Sequence, residues 1–139
     1  MRYLLDTNVC VDILNHRYPA VAERLRRCSP EDLCISSVVV AELRYGADKS
    51  QRSAENHKRI DLLLGEIPCR DFDPSAALVF GRIRTDLEKR GEPIGPYDLM
   101  IAAHALSLKL ILVSDNVREF RKVERLQVEN WRGTEIVSP

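Results

Sequence analysis

Asp6, Glu42, Asp98 and the pair Asp115–Asn116 are oxygen-bearing side chains that share one kind of position. Each stands just behind a short apolar run or early in a helix predicted to follow one. Asp6 directly follows Tyr3-Leu4-Leu5, and Glu42 lies in the helix predicted after Leu33-Cys34-Ile35. Asp98 sits in the first turn of a helix opened by Pro96, and Asp115 and Asn116 follow Leu110-Ile111-Leu112-Val113. Hard divalent cations such as Mg²⁺ or Mn²⁺ prefer oxygen ligands. Held by two or three carboxylates, such an ion activates water and stabilises a phosphoryl transition state.

Each residue also has a plain structural role open to it. Asp6 could only cap a helix, and Asp98 is favoured near a helix N-terminus whatever its function. Asp115 and Asn116 could be turn residues. Glu42 resists this treatment. Val38, Val39 and Tyr45 lie one turn away, so it sits on or beside an apolar face, and no Ser or Thr stands three residues earlier to make a capping box. A carboxylate there is costly unless it is paired or bound to metal; the structural alternative is a salt bridge to an arginine. Basic residues gather as well. Arg82, Arg84, Lys89 and Arg90 lie on one predicted helix, and Arg118, Arg121, Lys122 and Arg125 follow the last acidic site. Such residues are ordinarily solvated surface. As nucleic-acid phosphate contacts, Arg82 and Lys89 would set affinity rather than sequence choice.

The elements that must position these groups can be read along the chain. Tyr3–Leu5, Leu33–Ile35 and Leu110–Val113 are short, uninterrupted apolar strands. Ile67–Phe72 reads as a strand interrupted by Pro68, and Val128 as part of a last short one. Between them, Asp6-Thr7-Asn8 begins a helix and Pro19 opens another toward Arg27. Ser36-Ser37 cap a helix over Val38–Tyr45 that stops near Gly46. Ser53–Leu64 is helical. Asp73 and Pro74 start the clearest helix, in which Ala76, Phe80, Ile83 and Leu87 form one stripe before Gly91 ends it. Pro96 starts a helix carrying Leu99, Ala102, Ala103 and Leu106. Buried-type strands alternating with helices predict an α/β fold with a mainly parallel sheet, and ligands in such folds bind beyond the carboxyl ends of the strands.

Composition narrows the class. With 139 residues, 45% of them hydrophobic, one domain over residues 1–139 with its own core is expected. No stretch approaches the length of a membrane span, and Asp6 interrupts the N-terminal apolar run where a signal peptide would continue. A cytoplasmic protein is therefore expected. Cys10, Cys28, Cys34 and Cys69 show no paired ligand spacing, and His16, His57 and His104 are scattered, which argues against zinc. The 21 Lys and Arg residues balance 21 Asp and Glu, so overall charge does not mark a nucleic-acid binder. A separate basic face could still hold phosphates.

Taken together, the chain resembles the PIN-domain ribonucleases, and more closely the VapC toxins of bacterial toxin–antitoxin pairs. The matching pieces are Leu4-Leu5-Asp6-Thr7-Asn8, Ile35-Ser36-Ser37 and Ala41-Glu42-Leu43. They continue with Gly91, Pro93-Ile94-Gly95-Pro96-Tyr97-Asp98, Ile101-Ala102-Ala103-His104-Ala105, and Asn116 with Glu119-Phe120. The resemblance implies a PIN-like three-layer α/β/α fold, a Mg²⁺ or Mn²⁺ site and RNA cleavage by activated water. By position, Asp6, Glu42 and Asp98 match the family's core acids and metal ligands. Asn116 matches its fourth polar position, Asp115 that position's variable neighbour, and Thr7 the hydroxyl beside the first acid. The Gly-containing loop before Asp98 resembles the subgroup that cuts initiator tRNA in the anticodon stem-loop. The resemblance further implies a homodimer and a VapB-like antitoxin partner. The alternatives are a catalytically silent RNA-binding regulator and a structure-specific DNA nuclease of related fold. A phosphate-accepting regulatory domain fits poorly, because Lys109 precedes the last long strand.

Overall fold

A computed structural model describes residues 1–133. Five short strands, β1 (Tyr3–Leu5), β2 (Leu33–Ser36), β3 (Cys69–Arg70), β4 (Ile111–Val113) and β5 (Val128–Glu129), form one sheet in the order β3-β2-β1-β4-β5. Every pairing is parallel. Leu4, Leu5, Cys34, Ile35, Leu112 and Val113 are fully buried, which is why these strands read as unbroken apolar runs rather than alternating ones.

The connections are helical. α1 (Thr7–Leu14) and α2 (Pro19–Arg26) join β1 to β2, and α3 (Ser37–Lys49) and α4 (Ser53–Glu66) join β2 to β3. α5 (Pro74–Lys89) and α6 (Pro96–Leu108) carry the chain back across to β4, and α7 (Val117–Phe120) leads to β5. The chain thus moves one way from β1 to β3 and the other way from β3 to β5. With right-handed crossovers, α1–α4 and α5–α7 cover opposite faces. The direction reverses beside β1, so a crevice is expected at the carboxyl ends of β1 and β4.

Several boundaries differ from the sequence reading. α3 does not stop near Gly46 but runs to Lys49. Gly46 keeps helical geometry, and the helix ends where the Ser50 N–H and hydroxyl both donate to the Ala47 carbonyl. β3 is only Cys69–Arg70 rather than Ile67–Phe72. Ile67 still closes α4 through a bond to the Leu63 carbonyl, Pro68 offers only its carbonyl to Ile35, and the Phe72 N–H donates to the Ser37 hydroxyl. Leu110 falls outside β4 because its N–H closes α6 on the Ala105 carbonyl. The single turn of α7 and a 3-10 turn at Pro30–Asp32 were not expected from sequence. α5 follows expectation: the Asp73 carboxylate caps it through the Ala76 N–H at 3.0 Å, and its stripe buries Ala76, Ile83 and Leu87.

A buried pair fastens the two helices that carry candidate acids. Ser36 caps α3 by accepting from the Val38 N–H at 3.1 Å, and its hydroxyl also shares a 2.8 Å hydrogen bond with His104 Nδ1 of α6. Burial pushes the His104 pKa down, which favours the neutral ring. α3 carries Glu42 and α6 carries Asp98, so this contact helps set their spacing.

Candidate active site

Asp6 leaves β1 as the N-cap of α1. Its backbone N–H continues the sheet by donating to the Val113 carbonyl. Its carboxylate is almost wholly buried and has both oxygens engaged: Oδ1 accepts from the Thr7 N–H and Oδ2 from the Ser114 hydroxyl, each at 2.7 Å. These bonds and the start of a helix favour the charged form. Burial outweighs them and, with Asp98 and Glu42 adding like charge, pushes the carboxyl up to about 6.

Thr7 ties the second acid to the first. Its hydroxyl donates to Glu42 Oε1 at 2.6 Å, across from α1 to α3. Among the described residues Glu42 forms no salt bridge, so the arginine alternative does not hold. Asp98 lies in the first turn of α6, partly buried. Burial raises its pKa, and the charges of Glu42, Glu119 and Asp115 raise it further. Carboxylates from β1, α3 and α6 therefore feel one another at the carboxyl edge of the sheet. Among the described residues, no three carboxylate, imidazole or thiol groups stand close enough to grip a single ion together.

The β4–α7 turn completes the edge. Ser114 is fully buried, donates to Asp6 and accepts from the Asn116 N–H at 3.0 Å. Asn116 precedes α7, and its side-chain amide makes no hydrogen bond among the described residues. Asp115 accepts from Asn8 Nδ2 at 3.1 Å and from Arg132 at 3.0 Å. Sequence reasoning passed over Ser114, a small hydroxyl between a strand and two stronger candidates. It also gave no role to Glu119, whose charge reaches Asp98 only because α7 folds back against the edge.

Of the two candidate phosphate contacts, Arg82 is placed elsewhere. It lines a groove of about 610 Å³ with Lys109, Leu110 and Gln127, which precede β4 and β5. That is the amino end of the strands, opposite the acids. Lys89 shares the outer face of α5 with Arg82, Leu78 and Asp86. The structure does not bring Arg82 to the acid edge.

A parallel sheet in this strand order, with a buried acid at the end of β1 and a half-buried one at the start of α6, defines a class as well as a fold. The PIN domain family matches residues 3–126, and the chain belongs to that family, among its VapC ribonucleases. It is 41% identical over 131 residues to the tRNA(fMet)-specific endonuclease VapC of Shigella flexneri, covering 94% of this chain and 98% of that protein. It is 37% identical over 132 residues to ribonuclease VapC2 of Rickettsia felis, with the same coverage. Among solved structures, DNA-bound VapBC of Salmonella typhimurium matches with a TM-score of 0.90 at 36% identity, covering 94% of this chain and 98% of that one. VapBC2 of Rickettsia felis, bound to a promoter DNA fragment, matches at 0.88 and 36%, covering 94% and 99%. Nucleases of the PIN family generally depend on divalent metal ions.

The donor set suits such an ion. All candidate ligands are oxygens, and Asp6 is a buried carboxylate whose charge the fold leaves undercompensated. A nearby cation would restore its charged form. A cage of direct ligands is not required, because Mg²⁺ keeps several waters and binds through one or two carboxylates.

Proposed function

We propose that the chain is a divalent-metal-dependent endoribonuclease, the toxin of a toxin–antitoxin pair, that hydrolyses RNA phosphodiester bonds in the cytoplasm. The observation that carries this reading is the buried carboxyl of Asp6, raised to about 6 beside Glu42 and Asp98. Asp6, Glu42 and Asp98 would hold Mg²⁺ or Mn²⁺. The ion supplies an activated water and charge stabilisation for the phosphoryl transition state. The chain's own residues arrange the site. Ser114 and the Thr7 N–H orient the two oxygens of Asp6, and the Thr7 hydroxyl orients Glu42. Asn116, with its amide free of partners among the described residues, would orient substrate or water.

The substrate we favour is initiator tRNA, cut in the anticodon stem-loop. Support comes from the Shigella relative's name and from nearly full-length similarity to it. An antitoxin partner is supported by the VapBC structures that the chain resembles. A groove of about 220 Å³ opens beside Thr7 and Glu42, floored by Val11, Leu14, Leu43 and Ile60. Its apolar floor suits one face of an amphipathic segment.

The test is cleavage of end-labelled initiator tRNA, elongator tRNA and duplex DNA by purified protein with Mg²⁺, Mn²⁺ or EDTA. We expect metal-dependent cuts in the initiator anticodon loop that disappear in Asp6→Asn. Binding without cleavage would support the silent regulator instead, and cleavage confined to DNA would support the DNA nuclease.

A further inference from the structure

Arg132 reaches back from the end of the described chain to the acid edge. Its Nε and Nη2 donate to both oxygens of Asp12, at 2.8 and 3.1 Å, and its Nη1 donates to Asp115 Oδ2 at 3.0 Å. The guanidinium lies over the Tyr18 ring, 4.3 Å from its centroid. Asp12 is 1% exposed, so removing Arg132 would leave a buried carboxylate without its ion-pair partner. The preceding residue is fixed too: Trp131 is buried, packs edge-on against Tyr3 and donates from its indole to Glu129. The Arg132 side chain is only 21% exposed and the Asp115 side chain 24%.

Asp115 and Asn116 are neighbours in one turn, and both are of types that bind hard cations. Their surroundings separate them. Asp115 has one oxygen on Asn8 and the other on a guanidinium that is itself locked by two bonds to Asp12. A cation seeking this carboxylate meets a fixed positive charge that cannot swing away without stranding Asp12.

We infer that Arg132 is a positioning residue that withholds Asp115 from the cation-binding group at the acid edge, leaving Asp6, Glu42 and Asp98 to carry it. This rests on the proposal that the edge binds a divalent cation. The charge of Asp115 still reaches Asp98 through space, but it does so as half of an ion pair.

The test is Mn²⁺ binding to RNA-free protein, followed by calorimetry and by the electron paramagnetic resonance of free Mn²⁺. Asp115→Asn removes a group that is not a ligand, so affinity should stay within about threefold of wild type. Loss of a true ligand would cost about tenfold or more. Asp12→Asn combined with Arg132→Gln removes one negative and one positive charge together, leaving local net charge unchanged and no buried carboxylate orphaned. It frees Asp115, and Mn²⁺ should bind about threefold tighter or more through the added attraction of an unpaired carboxylate. Adding Asp115→Asn to that pair should abolish the gain. A tenfold weakening in Asp115→Asn alone overturns the inference, and this arm needs no folding of the double variant. So does a double variant that shows native circular dichroism and no tightening, or tightening that Asp115→Asn does not reverse. Wild-type protein that binds no Mn²⁺ at millimolar concentration refutes the parent reading and this inference with it.

Discussion

Asp6→Asn should make the metal-free protein more stable at neutral pH while destroying its function. Burial lifts the Asp6 carboxyl from its ordinary 3.8 to about 6. At about 1.4 kcal/mol per pH unit, the charged form costs the fold about 3 kcal/mol. The sign follows from proton linkage. Below pH 3.8 the carboxyl is protonated in both folded and unfolded chains, and the penalty is absent. Between 3.8 and about 6 the unfolded chain has released its proton while the folded one keeps it, so stability falls as pH rises through this window. Above pH 6 the whole penalty is present. The amide retains both hydrogen bonds, accepting from the Thr7 N–H and donating to the Ser114 hydroxyl. A chain of this size shifts its melting midpoint by about 3 °C per kcal/mol. The variant should therefore melt about 3–9 °C above wild type at pH 7.5 in EDTA, and the difference should largely vanish at pH 4. Added Mg²⁺ should raise the wild-type midpoint and leave the variant unmoved. Calorimetric scans of both proteins at the two pH values decide it. An unchanged or lower midpoint for the variant at pH 7.5, or an equal gain at both pH values, would refute the electrostatic account of Asp6.

Asp98→Asn keeps the shape of the α6 N-terminus and removes charge from a carboxyl that its neighbours already disfavour; cleavage should fall by orders of magnitude while the melting midpoint holds or rises. Ser114→Ala deletes a hydrogen bond that lowers the Asp6 pKa, so the acid limb of the cleavage-rate profile should move to higher pH, read from initial rates between pH 5 and 8. Arg82 lies at the opposite end of the sheet from the acids, so Arg82→Gln should leave the salt dependence of RNA binding unchanged in filter-binding titrations, whereas a phosphate contact would lower the slope by about one. Leu87→Ala should cost about 2–5 kcal/mol in urea unfolding, because Leu87 is 1% exposed on the buried stripe of α5.

Local chemistry made much of this protein legible before its structure. Fully buried parallel strands must be apolar on both faces, so β1, β2 and β4 stand out as short runs. Asp73, Pro74 and Gly91 carry their capping roles in their own conformational preferences, so the bounds of α5 can be read from them. Asp6, Asp98 and Asp115 were found because each follows a strand or opens a helix, and Glu42 because a carboxylate beside an apolar helix face needs a partner; a parallel sheet gathers such places at one edge. Tertiary structure decided what depends on distant partners. Gly46 lies inside a helix because packing along α3 outweighs its weak propensity. Arg82 falls away from the acids because strand order and the packing of α5 set its place, and no local pattern encodes either. Ser114 gains its role from Asp6, 108 residues away, and Asp115 is taken up by Arg132, itself locked to Asp12 from 120 residues away. Residue type marks which groups can do chemistry; burial and charge at the assembled edge determine which of them are left available to do it.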